Sequence, residues 1–252
     1  MSSSKYSAGI HAVNRLIQSM PDKVRKLYID ERSKNPRLAD VRQRARDSGI
    51  PTQGARSHRL DDMAQGTAHQ GVIAELINLP NVDEAALRDH VEQALADGAH
   101  PMLLILDGIQ DPHNLGACLR TAEAAGVMAI VVPRTNAVGL TPATRKVASG
   151  AAELIPVVAV GSIAKTLDWI GAYGLIRVAT SDAATESIYD LDLKGPLALT
   201  MGMEGKGLSS EIMQRCDSTA MIPMAGAVES LNVSVATGVC LYEVVRQRGL
   251  KS

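Results

Sequence analysis

The sequence of 252 residues has no phenylalanine, one tryptophan and five tyrosines. Proteins that hold single-stranded nucleic acid without sequence preference stack its bases on aromatic side chains. Such stacking platforms are therefore scarce in this chain. The core has to be built from aliphatic and methionine side chains, and with 46% hydrophobic residues we expect a large core divided between two domains.

Cysteine is also rare, and the three cysteines form no CxxC pair. They are Cys118, Cys216 and Cys240. An odd number at wide spacing argues against both a disulfide framework and a zinc site. The sequence also lacks an HExxH pair and a GxSxG elbow, so metal-dependent and serine hydrolases are disfavoured and no bound metal is expected.

Two nucleotide-binding fingerprints are missing as well. No GxGxxG follows a predicted strand, and no GxxxxGK[ST] occurs. A dehydrogenase or another α/β nucleotide enzyme with a familiar phosphate loop is therefore disfavoured.

Long apolar runs are absent too. The longest, MLLIL and VMAIVV, fall far short of the roughly 18 residues that span a bilayer. The first eight residues contain no apolar segment of the kind found in secretory signals. We expect a cytoplasmic protein.

The net charge of −1 conceals an uneven distribution. Residues 1–80 carry thirteen Lys or Arg against eight Asp or Glu, a net charge of +5, whereas residues 81–252 carry thirteen against nineteen, a net charge of −6. Nine of the basic residues lie between Lys23 and Arg46. Such a cluster is typical of a surface that binds a phosphate backbone, although a solvated helix face explains it equally well.

The N-terminal part has the patterns of a small α/β domain. Apolar residues in GIHAVNRLIQSM recur at helical spacing and predict one buried face, formed by Ile10, Val13, Leu16 and Ile17. The segment KLYID predicts a strand, and NPRLADVRQRARDSG predicts a helix with arginines on its exposed side. We assign residues 1–79 to a small basic α/β domain.

Residues 80–100 are predicted to form an acidic linker, because DEAALRDHVEQALADG is an acidic helix of modest hydrophobicity. From residue 101 to 252, short β-prone runs alternate with helical segments, a pattern typical of a largely parallel sheet covered by helices. The loops DPHNLGACLR, MGMEGKG and IPMAGAVESLN each follow such a run. Because ligands bind beyond the carboxyl ends of parallel strands, these three loops are predicted to form one site.

The polar residues in these loops have purely structural explanations as well. Asn114 could cap a helix, and Arg120 could pair with Glu123. Ser230 could be the N-cap of the last helix, which would leave Asn232 as an exposed residue of its first turn.

The stretches NLGACLRTAEAAG, MGMEGKGLS and IPMAGAVESLNVSVATG resemble motifs one, two and three of the SpoU family of RNA ribose 2′-O-methyltransferases, part of the SPOUT superfamily. The resemblance covers about residues 101–248, and AGIHAVNRLI with AHQGVIAEL extends it to the family's small RNA-binding domain. It implies a C-terminal trefoil knot, a rare exception to unknotted topology. It also implies a homodimer in which the final helix, expected at 231–248 and apolar on several sides, takes part.

The resemblance implies methyl transfer from S-adenosylmethionine to a ribose 2′-hydroxyl of structured RNA, with a guanosine of 23S rRNA as the first expectation. A tRNA ribose is the alternative within the family. A catalytically silent RNA-binding protein of ribosome assembly is the alternative outside enzymes, although the chain retains the family's catalytic residue types.

Individual roles are also carried over from the family. The implied catalytic residues are Asn114, Arg120, Glu204, Ser230 and Asn232, and the implied cofactor-binding residues are Thr180, Gly202, Ile222, Met224 and Leu231. A guanidinium with a pKa above about 12 is a poor base, so Arg120 either activates the hydroxyl or orients phosphate and stabilises the alkoxide. In a family-like dimer it acts within its own chain or across the dimer. Met203 and Glu229 depart from the residues usual at those positions.

Overall fold

A computed structural model describes residues 6–64, 66, 68–77, 82–203 and 205–249. The helices are α1 (Ile10–Ser19), α2 (Arg37–Asp47), α3 (Ser57–Ala64), α4 (Glu84–Ala96), α5 (Pro112–Ala124), α6 (Pro142–Ala148), α7 (Ile163–Ala172), α8 (Ser210–Gln214) and α9 (Val233–Arg248). The strands are β1 (Tyr6–Ala8), β2 (Val24–Asp30), β3 (Thr52–Ala55), β4 (Val72–Leu76), β5 (Met102–Leu106), β6 (Ala129–Pro133), β7 (Val157–Val160), β8 (Ile176–Thr180), β9 (Glu186–Ser187), β10 (Leu197–Met201) and β11 (Ser218–Met221). Short 3₁₀ turns cover Pro21–Lys23 and Ala151–Glu153.

Contacts divide the chain into two compact units. The first unit consists of Met1–Asn81 together with Leu140–Leu154, and the second consists of Val82–Gly139 together with Ile155–Ser252. The segment that contains α6 therefore packs within the first unit, although it lies inside the predicted second domain of residues 101–252.

The sheet of the first unit has the strand order β1-β4-β2-β3. Both β1 and β2 run antiparallel to β4, whereas β3 runs parallel to β2. Helix α1 buries Ile10, Val13, Leu16 and Ile17 against this sheet, so its predicted apolar face is confirmed.

Helix α2 has one buried and one basic side. Leu38, Val41 and Ala45 face the core of the first unit. The arginines predicted to lie on the exposed side, Arg42, Arg44 and Arg46, are exposed. The basic surface between Lys23 and Arg46 is thus accessible at this helix.

The second unit is built on a sheet of seven strands within the described residues, in the order β7-β6-β5-β10-β8-β11-β9. Every neighbouring pair in it is parallel. The two middle strands, β5 and β10, are buried along their whole length, which fits their continuous apolar sequences MLLIL and LALTM. The predicted parallel sheet is confirmed, with β9 as an additional edge strand.

Helix α4 belongs to the core of the second unit, which differs from the predicted linker between two cores. Its Leu87 and Val91 are fully buried among the residues of that core. Its first residue, Glu84, accepts hydrogen bonds from Trp169 Nε1 at 2.8 Å and Thr166 Oγ1 at 3.1 Å on α7. An acidic helix of modest hydrophobicity can thus be held by two buried side chains and one well-bonded carboxylate.

Helix α9 begins at Val233 and packs against α5. Its buried residues are Val233, Thr237, Cys240, Leu241, Glu243 and Val244. Val235 and Tyr242 are each 52% exposed, so the expectation of burial on several sides is not met within one chain. Because these two residues are seven positions apart, they lie on the same side of the helix.

Candidate active site

A cleft of about 840 Å³ lies at the carboxyl edge of the parallel sheet, where β8, β10 and β11 end. Its walls are formed by residues 180–182 at the end of β8, the loop that follows β10, and most of residues 220–233 at and beyond the end of β11. Five lining residues are those implied for cofactor binding: Thr180, Gly202, Ile222, Met224 and Leu231. The sheet thus brings together residues that lie up to 51 positions apart in the sequence.

The cleft combines apolar side chains with backbone groups of small residues. Thr180 is fixed because its Oγ1 donates to the carbonyl oxygen of Thr200 at 3.1 Å, which leaves the lone pairs of the hydroxyl as acceptors. Met224 and Ile222 contribute apolar atoms, and Gly226 contributes bare backbone. A cleft of this size and lining suits a mostly flat organic ligand with a few polar groups.

The loop after β10 is a tight hairpin turn. Met203 and Gly207 form an isolated antiparallel bridge, with the Gly207 amide donating to the Met203 carbonyl oxygen at 2.8 Å. Gly205 and Gly207 have φ angles of 77° and 63°, in the left-handed region that glycine tolerates best. Glu204 lies outside the described residues, so its implied role stays a prediction.

The side chain of Met203 packs toward the first of the three loops. A Cβ atom added to Gly108 would lie only 2.7 Å from Met203 Cε, so the methionine fills the space beside this glycine. Gly108 directly follows Asp107, whose pKa is raised by burial. Met203 also lines the cleft and therefore connects the first loop with the second.

The first and third loops meet through two asparagines. Asn232 Nδ2 donates to Asn114 Oδ1 at 3.1 Å, across 118 positions of the sequence. Asn232 is also the N-cap of α9, because its Oδ1 accepts from the Ser234 amide at 3.0 Å. The cap of α5 is Asp111, which accepts from the His113 amide at 2.8 Å.

These contacts correct the purely structural explanations. Asn114 lies two residues after the first residue of α5 and is not its cap, and Asn232, not Ser230, caps α9. Ser230 is exposed and lines the cleft. The N-termini of α5 and α9 therefore meet beside the cleft and carry one asparagine each.

Arg120 is exposed and is absent from the described lining of the cleft. It forms no ion pair with Glu123, and within the described part of the chain its guanidinium has no hydrogen-bond partner. Arg120 follows Asn114 by six residues, which at about 100° per residue turns it roughly 120° away from the asparagine. Among the described residues, Arg120 forms no hydrogen bond to Asn114, Ser230 or Asn232 of its own chain.

Three charged side chains line the described part of the cleft, and of these only Glu229 was noted in the sequence. They are Asp182, Lys206 and Glu229, and all three are exposed. Lys206 lies inside the quoted segment MGMEGKG, and Asp182 follows β8 by two residues, so their position after parallel strands was the signal that could have identified them.

Among the described residues, no group of three or more His, Cys, Asp and Glu side chains is placed to hold a metal ion. In the same part of the chain, no helix has the length and apolar character needed to cross a bilayer.

Two families of known proteins match the two parts of the chain. Residues 8–81 match the family described as RNA 2′-O ribose methyltransferase substrate binding, which puts the chain in the class of RNA ribose methyltransferases. Residues 101–242 match the SpoU rRNA Methylase family. The chain belongs to the SpoU rRNA methylase family.

Similar proteins cover nearly the full chain. The 23S rRNA (guanosine-2′-O-)-methyltransferase of Pseudomonas putida is 46% identical over 243 residues, 96% of each chain. Its namesake from Pseudomonas aeruginosa is 48% identical over 241 residues, 95% of each. The crystal structure of the SpoU methyltransferase AviRb from Streptomyces viridochromogenes in complex with AdoMet superposes with a TM-score of 0.73 at 25% identity, covering 96% of this chain and 90% of that one.

Proposed function

We propose that the chain transfers a methyl group from S-adenosylmethionine to the ribose 2′-hydroxyl of a guanosine in 23S rRNA. The observation that carries this proposal is the cleft at the carboxyl edge of the sheet, which is lined by loops of motifs two and three and is joined to motif one through the bond between Asn232 and Asn114. The names of relatives that are 46–48% identical over at least 95% of the chain support the choice of RNA. Because these relatives align over both units, a tRNA substrate is the less supported alternative.

The cleft fits the cofactor in size and chemistry. Its volume of about 840 Å³ lies within the roughly 300–1,000 Å³ usual for small-molecule sites. Ile222, Met224 and Leu231 supply apolar surface for an adenine ring, and Gly202 supplies bare backbone beside it. When bound, S-adenosylmethionine supplies an electrophilic methyl group on a positively charged sulfur.

The polar residues beside the cleft orient the ribose. Ser230 and Asn232 lie at its edge, and the contact between Asn232 and Asn114 fixes both amides at the meeting point of two helix N-termini. These termini favour negative charge, which develops on the 2′-oxygen as it loses its proton. Catalysis of this kind depends on positioning and charge stabilisation and needs no covalent bond to the protein.

Arg120 stabilises the alkoxide or orients a neighbouring phosphate, and it does so in the active site of a partner chain. Its exposure and its direction away from Asn114 support action across a homodimer. Exposed Val235 and Tyr242 supply an apolar side of α9 for the dimer contact. The proposal includes the trefoil knot of the family, supported by the packing of α9 on α5.

The first unit binds the RNA around the reacting nucleotide, supported by the exposed arginines of α2. A phosphate backbone is attracted to such a surface without regard to sequence, so this unit contributes affinity and orientation. Because ribosomal RNA is made and assembled in the cytoplasm of bacteria, the proposed location is cytoplasmic.

The deciding experiment maps ribose methylation. Total RNA from a deletion strain is compared with RNA from the parent and from a strain that carries Arg120→Ala. We expect one unmethylated guanosine in 23S rRNA of the deletion strain and of the variant. Loss of a tRNA methyl group, or no loss, would contradict the proposed substrate.

Mixing two inactive variants tests the composite site. Purified Arg120→Ala is expected to bind S-adenosylmethionine normally but to transfer no methyl group, and Asn232→Ala is expected to be inactive as well. If Arg120 acts across the dimer, a mixed dimer contains one intact site, so activity returns after mixing and subunit exchange. If Arg120 acts within its own chain, the mixture stays inactive.

A further inference from the structure

The charges of the cleft pose a problem for an RNA substrate. Of the three charged residues in its described lining, Asp182 and Glu229 are negative and only Lys206 is positive. Residues 81–252 as a whole carry a net charge of −6. An incoming RNA strand has one negative charge per nucleotide, so close approach to this cleft requires a cation at the point of entry.

Lys206 is held where it can meet that requirement. It lies in the hairpin closed by the Met203–Gly207 bridge, between two glycines with positive φ angles. A Cβ atom added to Gly202 would lie 2.6 Å from the backbone nitrogen of Leu208, so the two arms of the hairpin lie in close contact. Contacts of Gly202 and Met203 with Gly207 and Leu208 thus hold the described backbone next to Lys206, whereas the side chain of Lys206 is exposed.

The ammonium group of Lys206 is also available. Its residue is exposed, and within the described ranges it has no ion pair or hydrogen bond to the protein. A lysine ammonium is a compact charge on a flexible stem and binds a phosphate without demanding one orientation.

We propose that Lys206 binds a phosphate of the RNA strand beside the nucleotide whose ribose enters the cleft. This inference rests on the function proposed above. The competing anion is the carboxylate of S-adenosylmethionine. The cofactor carries two positive charges against that one carboxylate, so the acidic residues Asp182 and Glu229 already suit its charge, whereas Lys206 is the one cationic side chain in the described lining that suits a phosphate.

The test uses the full chain with Lys206→Ala and Lys206→Arg. Lys165→Ala, at an exposed lysine on α7, is the matched control. Initial rates with an unmethylated 23S rRNA transcript give KM and kcat at several salt concentrations. Calorimetry gives the Kd of S-adenosylmethionine for each variant.

We expect Lys206→Ala to raise the KM for RNA about fivefold at low salt, with the effect on KM exceeding that on kcat. The slope of log KM against log salt concentration should fall by about 0.7–0.9, the value for one lost phosphate contact. The Kd of the cofactor should not change, Lys206→Arg should restore most of the affinity, and Lys165→Ala should behave as the unaltered protein.

Two results would overturn the inference while the proposed function stands. One is an active Lys206→Ala variant with an unchanged KM and salt slope. The other is a weakened Kd for the cofactor with unchanged RNA kinetics, which would assign Lys206 to the cofactor carboxylate. If the unaltered protein methylates no RNA, the proposed function fails, and direct binding of the same transcript still decides whether Lys206 contributes to the salt slope.

Discussion

Replacing Gly202 by alanine tests the close contact on which the shape of the cleft depends. The added methyl group would lie 2.6 Å from Leu208 N and 2.7 Å from Gly207 O. Both are backbone atoms, so no side-chain rotation can relieve the overlap and the hairpin has to move. Overpacking of this kind costs about 1–3 kcal/mol. Because the hairpin borders the cleft, its displacement should also weaken binding of S-adenosylmethionine.

Thermal unfolding and calorimetric titration measure the two effects. For a chain of this size each kcal/mol shifts Tm by about 2–4 °C, so the loss should be about 2–12 °C. We expect the Kd of the cofactor to rise about tenfold or more, since the backbone beside the ligand is displaced. Gly161→Ala is the matched control, because Gly161 is absent from the lining of the cleft and a Cβ atom there would meet no atom within 4 Å. If Gly202→Ala retained the Tm and the Kd of the unaltered protein, the reasoning would be refuted.

Three further predictions concern other contacts. Asn232→Asp keeps the oxygen that caps α9 but loses the N–H donor, so Tm should change little while methyl transfer falls about tenfold or more; full activity would contradict the proposed role. Hydrogen bonds from Arg177 hold the pKa of Asp217 below its ordinary value of 3.8, so this carboxylate stabilises the fold above that pH and loses the effect as pH falls through its folded pKa. The Tm advantage over Asp217→Asn should therefore be present at pH 7 and shrink below pH 3.8, and a pH-independent difference would disprove it. Tyr242→Glu should convert a dimer to a monomer in sedimentation experiments, whereas Tyr189→Glu, also at an exposed tyrosine, should not; an unchanged dimer would exclude this side of α9.

Much of the fold follows from periodicity in the sequence. The face of α1 is predictable because four apolar residues recur at helical spacing, and β5 and β10 are predictable because uninterrupted apolar runs suit strands buried on both sides. The packing of α4 in the core of the second unit is harder to predict from the sequence. Its apolar residues are few, and the bonds from Trp169 and Thr166 to Glu84 join residues more than 80 positions apart, which no local pattern reveals.

The candidate site also has features that the sequence predicts and features that it does not. Loops that follow parallel strands are predicted to meet, and the cleft and the bond between Asn114 and Asn232 agree with that rule. Helix caps are harder to assign, because Asp111 and Asn114, or Ser230 and Asn232, are all acceptable caps and the choice depends on where the backbone turns. One sequence does not tell whether Arg120 acts within its own chain or across a dimer, because a contact across chains would leave no spacing to follow.

The segment Leu140–Leu154 affects the order in which the two units can fold during synthesis. It packs within the first unit, where Gly150 comes so near Ala12 that an added Cβ would lie 3.1 Å from Ala12 Cα and where Leu154 joins the first core. The ribosome releases this segment only after β5, α5 and β6 of the second unit have been synthesised. N-terminal domains generally fold first during translation. Here the N-terminal unit cannot complete its packing until about sixty residues of the other unit have emerged. A fragment that stops at Asn81 would therefore lack the segment Leu140–Leu154, which belongs to the same compact unit.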